Sequence, residues 1–203
     1  QSCTSLRSVD IPSSIRLIGP EAFSECRNLQ SISLSENISE IGDNAFSSCE
    51  ALTSISLPDS LDKIGNNVFS GCVSLSVIVV SPDHPVFQSM NGILINKKEK
   101  RLIFFPFIKK DTIVSVPEGI EIIGEEAFAN HQYIEVIDLP LTVKAIESKA
   151  FYGCRGLKKV ILNDSIQRIG SSAFHSCSNL ISDTLPANLS CLEYSVFYAC
   201  NSL

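Results

Sequence analysis

A 23-residue spacing of phenylalanine constrains this chain more than any other feature. Seven phenylalanines form two evenly spaced series, namely Phe23, Phe46 and Phe69, then Phe128, Phe151, Phe174 and Phe197. An Ala or Val precedes each of them, and a cysteine follows three residues after all but one. A fixed period of about 20–50 residues is the signature of a repeat protein. One such repeat cannot bury its own apolar side chains, so we predict stacked repeats that share a core.

Within each repeat the chain alternates between two kinds of local pattern. After the cysteine it reads C-x-x-L-x-x-I-x-L-P, as in residues 49–58, and this pattern contains the period of two that is typical of a short strand. The segment I-G-x-x-A-F-x-x-C then places Ala, Phe and Cys within one helical turn, and its Gly permits a tight bend. We therefore predict an α/β solenoid that is right-handed, with a concave parallel β-sheet and short helical turns on the outer side.

The consensus C-x-x-L-x-x-I-x-L-P-x-x-V-x-x-I-G-x-x-A-F resembles the BspA-like leucine-rich repeat of bacterial and protozoan surface proteins. The resemblance covers nearly the whole chain and implies a leucine-rich repeat superhelix. Glu147 and Glu193 replace the Gly, and Asp183 takes the place of a buried Ile, so we expect local irregularity there. The resemblance also implies a secreted or surface-displayed protein with an adhesive, virulence-associated role.

One segment breaks the period. Phe69 and Phe128 lie 59 residues apart, where two repeats would span 46. The segment contains Pro82-Asp83-His84-Pro85 and Asn91-Gly92, and its apolar residues 93–95 and 102–105 flank a charged turn. It resembles a variant repeat of the family in which N-P-x-F/Y precedes D-G-V-L-Y. We predict a single leucine-rich repeat domain over 1–203, with an irregular longer repeat and a β-hairpin at about 81–117.

Composition and missing motifs exclude several classes of function. The net charge of −6 argues against nucleic-acid binding, and no apolar run is long enough for this segment to insert into a membrane. No zinc, phosphate-loop or nucleophile-elbow motif occurs, so we expect no catalytic residues, no metal, no cofactor and no enzymatic activity. No secretion leader opens the chain, and we expect any such signal to lie outside it.

The variable positions of the strand pattern form the candidate binding face. They begin as a serine track and become largely aliphatic further along the chain, with members Ser31, Ser33, Ser54, Ser56, Val77, Val79, Ile113, Ser115, Val136, Asp138, Lys159 and Ile161. An exposed aliphatic stripe beside polar residues is typical of a protein-binding surface. The β-branched residues are equally well explained by strand propensity alone, and the sequence leaves both interpretations open.

A basic patch interrupts an otherwise acidic chain. Residues 81–117 carry six Lys or Arg and three Asp or Glu, whereas the segments on either side are net negative. Its members are Lys97, Lys98, Lys100 and Arg101, with Lys109 and Lys110 following. The pattern fits a solvated turn, and it also fits a contact site for an acidic partner or a glycan.

Eight cysteines do not indicate a disulfide framework here. Because most occupy the same position of successive repeats, we predict buried free thiols, with Cys191 outside this series and exposed. Three N-x-S/T sequons, at Asn37, Asn163 and Asn188, are glycosylation candidates in a secreted eukaryotic protein. For Asn37 and Asn188 we favour a hydrogen-bonding role in the turn.

These features predict a protein-protein interaction or adhesion module at the cell surface or in a secreted protein. Its partner would be an extracellular-matrix or cell-surface protein, or a glycan. The alternative is an intracellular leucine-rich repeat scaffold or sensor that recruits proteins, and a cytoplasmic location stays open. Both ends interrupt the repeat in the same phase, so we expect a fragment of a longer array whose ends self-associate end to end.

Overall fold

The computed structural model describes residues 3–107, 110–181 and 184–203, so Lys109 and Asp183 lie outside the described residues. The described chain divides into two compact units. Unit 1 comprises residues 3–98 and 104–107, and unit 2 comprises residues 99–103, 110–181 and 184–203.

Unit 1 is a stack of 23-residue coils joined by parallel strand pairing. Each coil contributes a three-residue main strand, in the order β1 (Ser8–Asp10), β3 (Ser31–Ser33), β5 (Ser54–Ser56) and β7 (Val77–Val79). A two-residue second strand follows the first three of these, as β2 (Leu17–Ile18), β4 (Glu40–Ile41) and β6 (Lys63–Ile64). Ser8 pairs with Ser31 and Ser54 with Val77, so one repeat makes one coil.

The irregular segment of unit 1 contains an antiparallel hairpin. Strand β8 (Phe87–Met90) pairs with β9 (Ile93–Asn96), and all four residues of β9 are buried. Asn91 and Gly92 join the strands with φ of 51° and 82°, as the tight turns of two-residue hairpins require. Phe104, also in unit 1, packs edge-on against Phe69 with ring centroids 5.8 Å apart.

Unit 2 repeats the same coil with the same two strand positions. Its main strands are β11 (Ile113–Ser115), β13 (Val136–Asp138) and β15 (Lys159–Ile161), paired in parallel. Its second strands are β10 (Arg101–Phe104, of which Phe104 belongs to unit 1), β12 (Ile122–Ile123), β14 (Ala145–Ile146), β16 (Arg168–Ile169) and β17 (Cys191–Leu192). Arg101 pairs with Ile122 and Arg168 with Cys191, again in parallel.

The repeated phenylalanines form the core of each unit, as predicted. In unit 1 the Phe23 and Phe46 rings stack with centroids 5.5 Å apart, and Phe46 stacks on Phe69 at 6.0 Å. In unit 2 the successive separations from Phe128 to Phe197 are 5.2, 5.1 and 5.4 Å. Each ring therefore covers the ring of the previous coil, and no coil has a core of its own.

The prediction of short helical turns is wrong, because the described residues contain no helix. In each outer turn the residues two before and two after the phenylalanine have positive φ, as at Glu21 (57°) and Glu25 (59°). The Phe23 N–H donates to the Ala45 carbonyl of the next coil at 2.8 Å, and the N–H groups two residues to either side do the same. The intervening N–H groups, and that of the following cysteine, bond within the turn. The outer side is therefore a second coil-to-coil ladder.

The recurrence of glycine at one position of the repeat reflects close approach of neighbouring backbones. A Cβ added to Gly42 would lie 2.6 Å from the Pro20 nitrogen of the preceding coil, and one on Gly170 would lie 2.6 Å from the Ser148 nitrogen. Neither residue has positive φ. The glycine is therefore needed for coil spacing rather than for the bend that the sequence suggested.

We expect Gly42→Ala to lower the free energy of unfolding by about 1–3 kcal/mol, because the new methyl group forces two backbones apart. Gly19→Ala is the matched control, since a Cβ at Gly19 meets nothing within 4 Å. Urea denaturation of both variants measures the difference. Equal stabilities for the two variants would contradict the spacing role.

Candidate functional site

The outward side chains of the main strands occupy equivalent positions in successive coils of each unit, and we call these positions the main-strand face of that unit. In every main strand the middle residue points into the core and the first and third point outward. All twelve residues predicted for the binding face occupy these outward positions. Eleven are exposed and Val136 is half-buried.

In unit 1 the main-strand face changes from polar to aliphatic within one coil. The register places Val77 beside Ser54 and Val79 beside Ser56. Val77 and Val79 are 49% and 52% exposed, although their strand is fully paired with β5. Ser31 and Ser33 continue the serine track on β3.

In unit 2 the main-strand face mixes aliphatic and charged side chains. Ile113, 67% exposed, pairs with Val136, which in turn pairs with Lys159. The other column runs from Ser115 through Asp138 to Ile161. The sequence therefore located the outward positions correctly, and their binding role stays a prediction.

Three residues of the basic patch, Lys98, Lys100 and Arg101, form ion pairs within their own unit, and Lys97 donates to a backbone carbonyl. In unit 1, Lys97 donates to the His84 carbonyl and Lys98 lies 3.3 Å from Asp62. In unit 2, Lys100 lies 2.6 Å from Glu121, and Arg101 lies 2.6 Å from Glu147. The patch is thus built into coil-to-coil ion pairs, and its role as a partner site stays a prediction.

Glu121 is the centre of one such network. Its carboxylate accepts hydrogen bonds from Lys100 at 2.6 Å and from Lys144 at 2.7 Å, so it joins three successive coils. These hydrogen bonds lower the pKa of Glu121 from 4.5 to about 2. The network is not evident from the sequence, because the partners are about one repeat apart and only the register brings them together.

The two glutamates that replace glycine are accommodated rather than disruptive. Glu147 accepts hydrogen bonds from Arg101 and, at 3.1 Å, from the Glu125 backbone N–H of the preceding coil. Glu193 does the same with Arg168 at 2.8 Å and the Ser171 N–H at 3.0 Å. The hydrogen bond from Arg168 is the main reason that the pKa of Glu193 is lowered.

The sequon asparagines brace neighbouring coils. Asn37 Nδ2 donates to the Ser13 carbonyl, and Asn188 Nδ2 donates to the Asp164 carbonyl, both at 2.8 Å. This is the turn role expected for both residues. Asn163 is buried, with Nδ2 on the Pro140 carbonyl. Nδ2 is the atom that would carry a glycan, and in all three residues it donates a hydrogen bond. Glycosylation of these residues stays a prediction.

None of the eight cysteines forms a disulfide, as predicted. Five of the seven in the repeated series are buried, whereas Cys3 is exposed and Cys200 is half-buried. The thiol of Cys49 donates to the Phe23 carbonyl of the preceding coil at 3.2 Å, and Cys154 donates to Phe128 at 2.9 Å. The same contact recurs for Cys72, Cys177 and Cys200. Burial raises the pKa of Cys49 and of Cys154 to about 12. Cys191 is exposed, as predicted.

We expect a maleimide at pH 8 to label Cys3 and Cys191 in the native chain and to leave the five buried thiols unmodified. At a pKa of about 12, only about one buried thiol in 10⁴ is ionised at that pH. Peptide mass mapping locates the label, and a urea-unfolded sample shows that all eight thiols can react. Labelling of Cys49 or Cys154 at the rate of Cys191 would contradict the assignment.

An aromatic column in unit 2 was missed by the sequence analysis. Tyr152 stacks on His175, and His175 on Tyr198, each with ring centroids 4.9 Å apart. All three directly follow a repeat phenylalanine, where unit 1 has serines. The 23-residue phase is therefore the signal that could have revealed the stack.

The described residues hold no cluster of three or more His, Cys, Asp or Glu side chains that could bind a metal ion. Over the same part of the chain, no helix has the length and apolar character needed to cross a membrane.

Comparison with known proteins identifies the repeat and the fold. The family described as BspA type Leucine rich repeat region matches residues 1–91 and 105–203 in six copies. A leucine rich cell surface protein from Faecalibacterium prausnitzii superposes on 99% of the chain with a TM-score of 0.87 and 28% identity. The pneumococcal vaccine antigen PcpA superposes on 91% with a TM-score of 0.77 and 25% identity.

A third structure, a leucine-rich repeat protein from Eubacterium ventriosum, shares the fold with a TM-score of 0.73 over 97% of the chain at 20% identity, covering 64% of that protein. The chain spans about half the length of the first two proteins, 53% and 52% respectively. No curated protein is significantly similar to the chain in sequence.

Proposed function

We propose that this chain, which belongs to the BspA-type leucine-rich repeat family, is a protein-interaction module that binds its partner through the main-strand face. The observation that carries the proposal is the pair Val77 and Val79, which are about half exposed on a strand that pairs along its whole length with β5. When a partner removes exposed aliphatic side chains of this kind from water, the free energy of the complex falls.

The rigidity of the strands supports a binding role. β-branched side chains on a paired strand have few rotamers. They therefore lose little conformational entropy when a partner covers them. Ser54 and Ser56 lie directly beside the two valines and supply hydroxyl groups for hydrogen bonds at the edge of the contact. Unit 2 offers a second aliphatic pair, Ile113 and Val136, bordered by Asp138 and Lys159.

The partner we propose is an extracellular-matrix or cell-surface protein, and the activity is adhesion. Support comes from the Faecalibacterium prausnitzii protein, which is described as a cell surface protein, and from the description of PcpA as a vaccine antigen. Because the chain spans about half of each, the activity of the whole protein is part of the proposal.

The binding test compares two aspartate pairs on neighbouring coils. Val77→Asp with Val79→Asp should weaken binding to a panel of immobilised extracellular-matrix and cell-surface proteins by tenfold or more, because it places two charges in an apolar contact. Ser54→Asp with Ser56→Asp adds the same charge one coil away and should have a smaller effect. Biolayer interferometry measures the affinities.

Circular dichroism melting checks that both double variants fold. Unchanged affinity of the valine variant would remove the main-strand face of unit 1 from consideration. Failure of the unmodified chain to bind any protein of the panel would contradict the adhesive role.

We expect antibodies against the chain to label intact cells of the source organism, because an adhesion module must reach its partner outside the cell. Mild trypsin treatment of those cells should remove the label. Labelling that requires permeabilised cells would instead favour the intracellular scaffold or sensor.

A further inference from the structure

The turn of the β8–β9 hairpin lies directly beside β7, the last main strand that the structure describes in unit 1. A Cβ added to Gly92 would lie 2.7 Å from the Ser76 carbonyl oxygen and 3.2 Å from Pro106 Cγ. Ser76 directly precedes β7, and Asn91 and Gly92 form the turn between the hairpin strands. The hairpin turn is therefore packed against the start of β7.

The turn occupies the place that the start of a further main strand would take. In the regular coils the Thr53 carbonyl accepts hydrogen bonds from the Ser76 and Val77 N–H groups of the next coil, at 3.1 and 3.4 Å. Ser76 lies 23 residues after Thr53, so its carbonyl is the equivalent acceptor, and Gly92 lies against it. The hairpin turn thus extends the main-strand face of unit 1 beyond β7 without adding a regular coil.

Met90 is the exposed apolar side chain next to this turn. It ends β8, two residues before Gly92, and is 46% exposed. Gln88 Nε2 donates to the Met90 sulfur at 3.5 Å and restrains the thioether. Val77, the first residue of β7, is 49% exposed. The turn therefore brings a third half-exposed apolar side chain, in addition to Val77 and Val79, to this end of the main-strand face.

The surface around these three side chains is uncharged. The outward residues of β3 and β5 are serines, those of β7 are valines, and strands β8 and β9 contain no Asp, Glu, Lys or Arg. A charged group of a partner that was buried here would lose its hydration and gain no opposite charge. The main-strand face of unit 2 differs, because Asp138 and Lys159 belong to it.

We propose that the β8–β9 turn completes the partner-binding surface of unit 1, and that Met90 and Val77 together contact an uncharged, apolar segment of the partner protein. The inference rests on the function proposed above, and adds to it a specificity-determining residue and the chemistry of the bound segment. The Met90 thioether lies on three rotatable bonds and adapts to an irregular apolar surface, whereas the valines are rigid. Met90 thus supplies the adaptable contact at the edge of a rigid face.

Oxidation footprinting tests the contact in the unmodified chain. Met90 is the only methionine, so peptide mass mapping after hydrogen peroxide treatment reports its conversion to the sulfoxide without ambiguity. The panel protein that the chain binds most tightly, added at saturation, should slow this oxidation about fivefold or more. The double variant Val77→Asp with Val79→Asp is the control, and the same protein should not protect its Met90.

Two outcomes separate this inference from the proposed function. If the valine substitutions abolish binding but the bound partner leaves the oxidation rate of Met90 unchanged, the role of the turn is overturned and the proposed function stands. If the valine variant keeps its affinity, the binding surface of unit 1 falls and the inference falls with it.

Met90→Glu and Leu17→Glu form a matched pair of variants. Leu17 is 53% exposed on the second strand β2 of the same unit, which is not part of the main-strand face. In biolayer interferometry Met90→Glu should weaken binding about fivefold or more, because it places a charge in an uncharged contact. Leu17→Glu should change the affinity less than about twofold, and Met90→Leu should retain it. Circular dichroism melting checks folding, and equal affinities of the two glutamate variants would overturn the role of Met90.

The salt dependence of binding tests the chemistry of the bound segment. Raising NaCl from about 50 to about 500 mM should change the affinity less than about threefold, because an uncharged contact contains no ion pairs to screen. A loss of about tenfold or more over this range would overturn the assignment of an uncharged segment.

Discussion

Contact between successive coils is the interaction on which everything else in this protein depends. A 23-residue coil has two short strands and a turn, and none of them completes its backbone hydrogen bonds or its apolar contacts within the coil. The main and second strands pair with their equivalents, the outer turns donate alternate N–H groups to the next coil, and each phenylalanine ring covers the one before it. Stability therefore accumulates with the number of interfaces between coils.

Polar side chains serve the same contact. Asn37 reaches the carbonyl of the preceding coil, Glu121 holds lysines of the coils on both sides, and buried thiols donate to backbone carbonyls one coil away. Glu147 and Glu193 show how the pattern tolerates substitution, because each carboxylate binds a backbone N–H of the preceding coil. Many of the charged side chains therefore form hydrogen bonds or ion pairs between coils. The outward side chains of the main-strand face are mostly exposed to solvent.

The period allowed most of the fold to be predicted, because side chains in equivalent positions of a repeat must form columns. The strand positions, the stacking of Phe46 on its neighbours and the burial of Cys49 all follow from that. The outer turns were mispredicted because the spacing of Ala, Phe and Cys also fits a turn with left-handed residues, and Glu21 or Ser48 gives no hint of positive φ. For the candidate site, alternation identified Val77 and Val79 as outward, whereas the partners of Lys100 and the position of Met90 depend on tertiary geometry that no local pattern encodes.

The equivalence of residues 23 positions apart also limits how such a chain can change in length. Gain or loss of a whole repeat moves each later residue by one coil along its own column and leaves every ring, thiol and strand in an equivalent environment. Deletion of a single residue inside a coil would put the side chains that follow it in that coil out of phase with their columns and expose part of the core. The hairpin after β7 accommodates additional residues, so the chain can vary in length at this point of unit 1 without shifting the phase of the later coils.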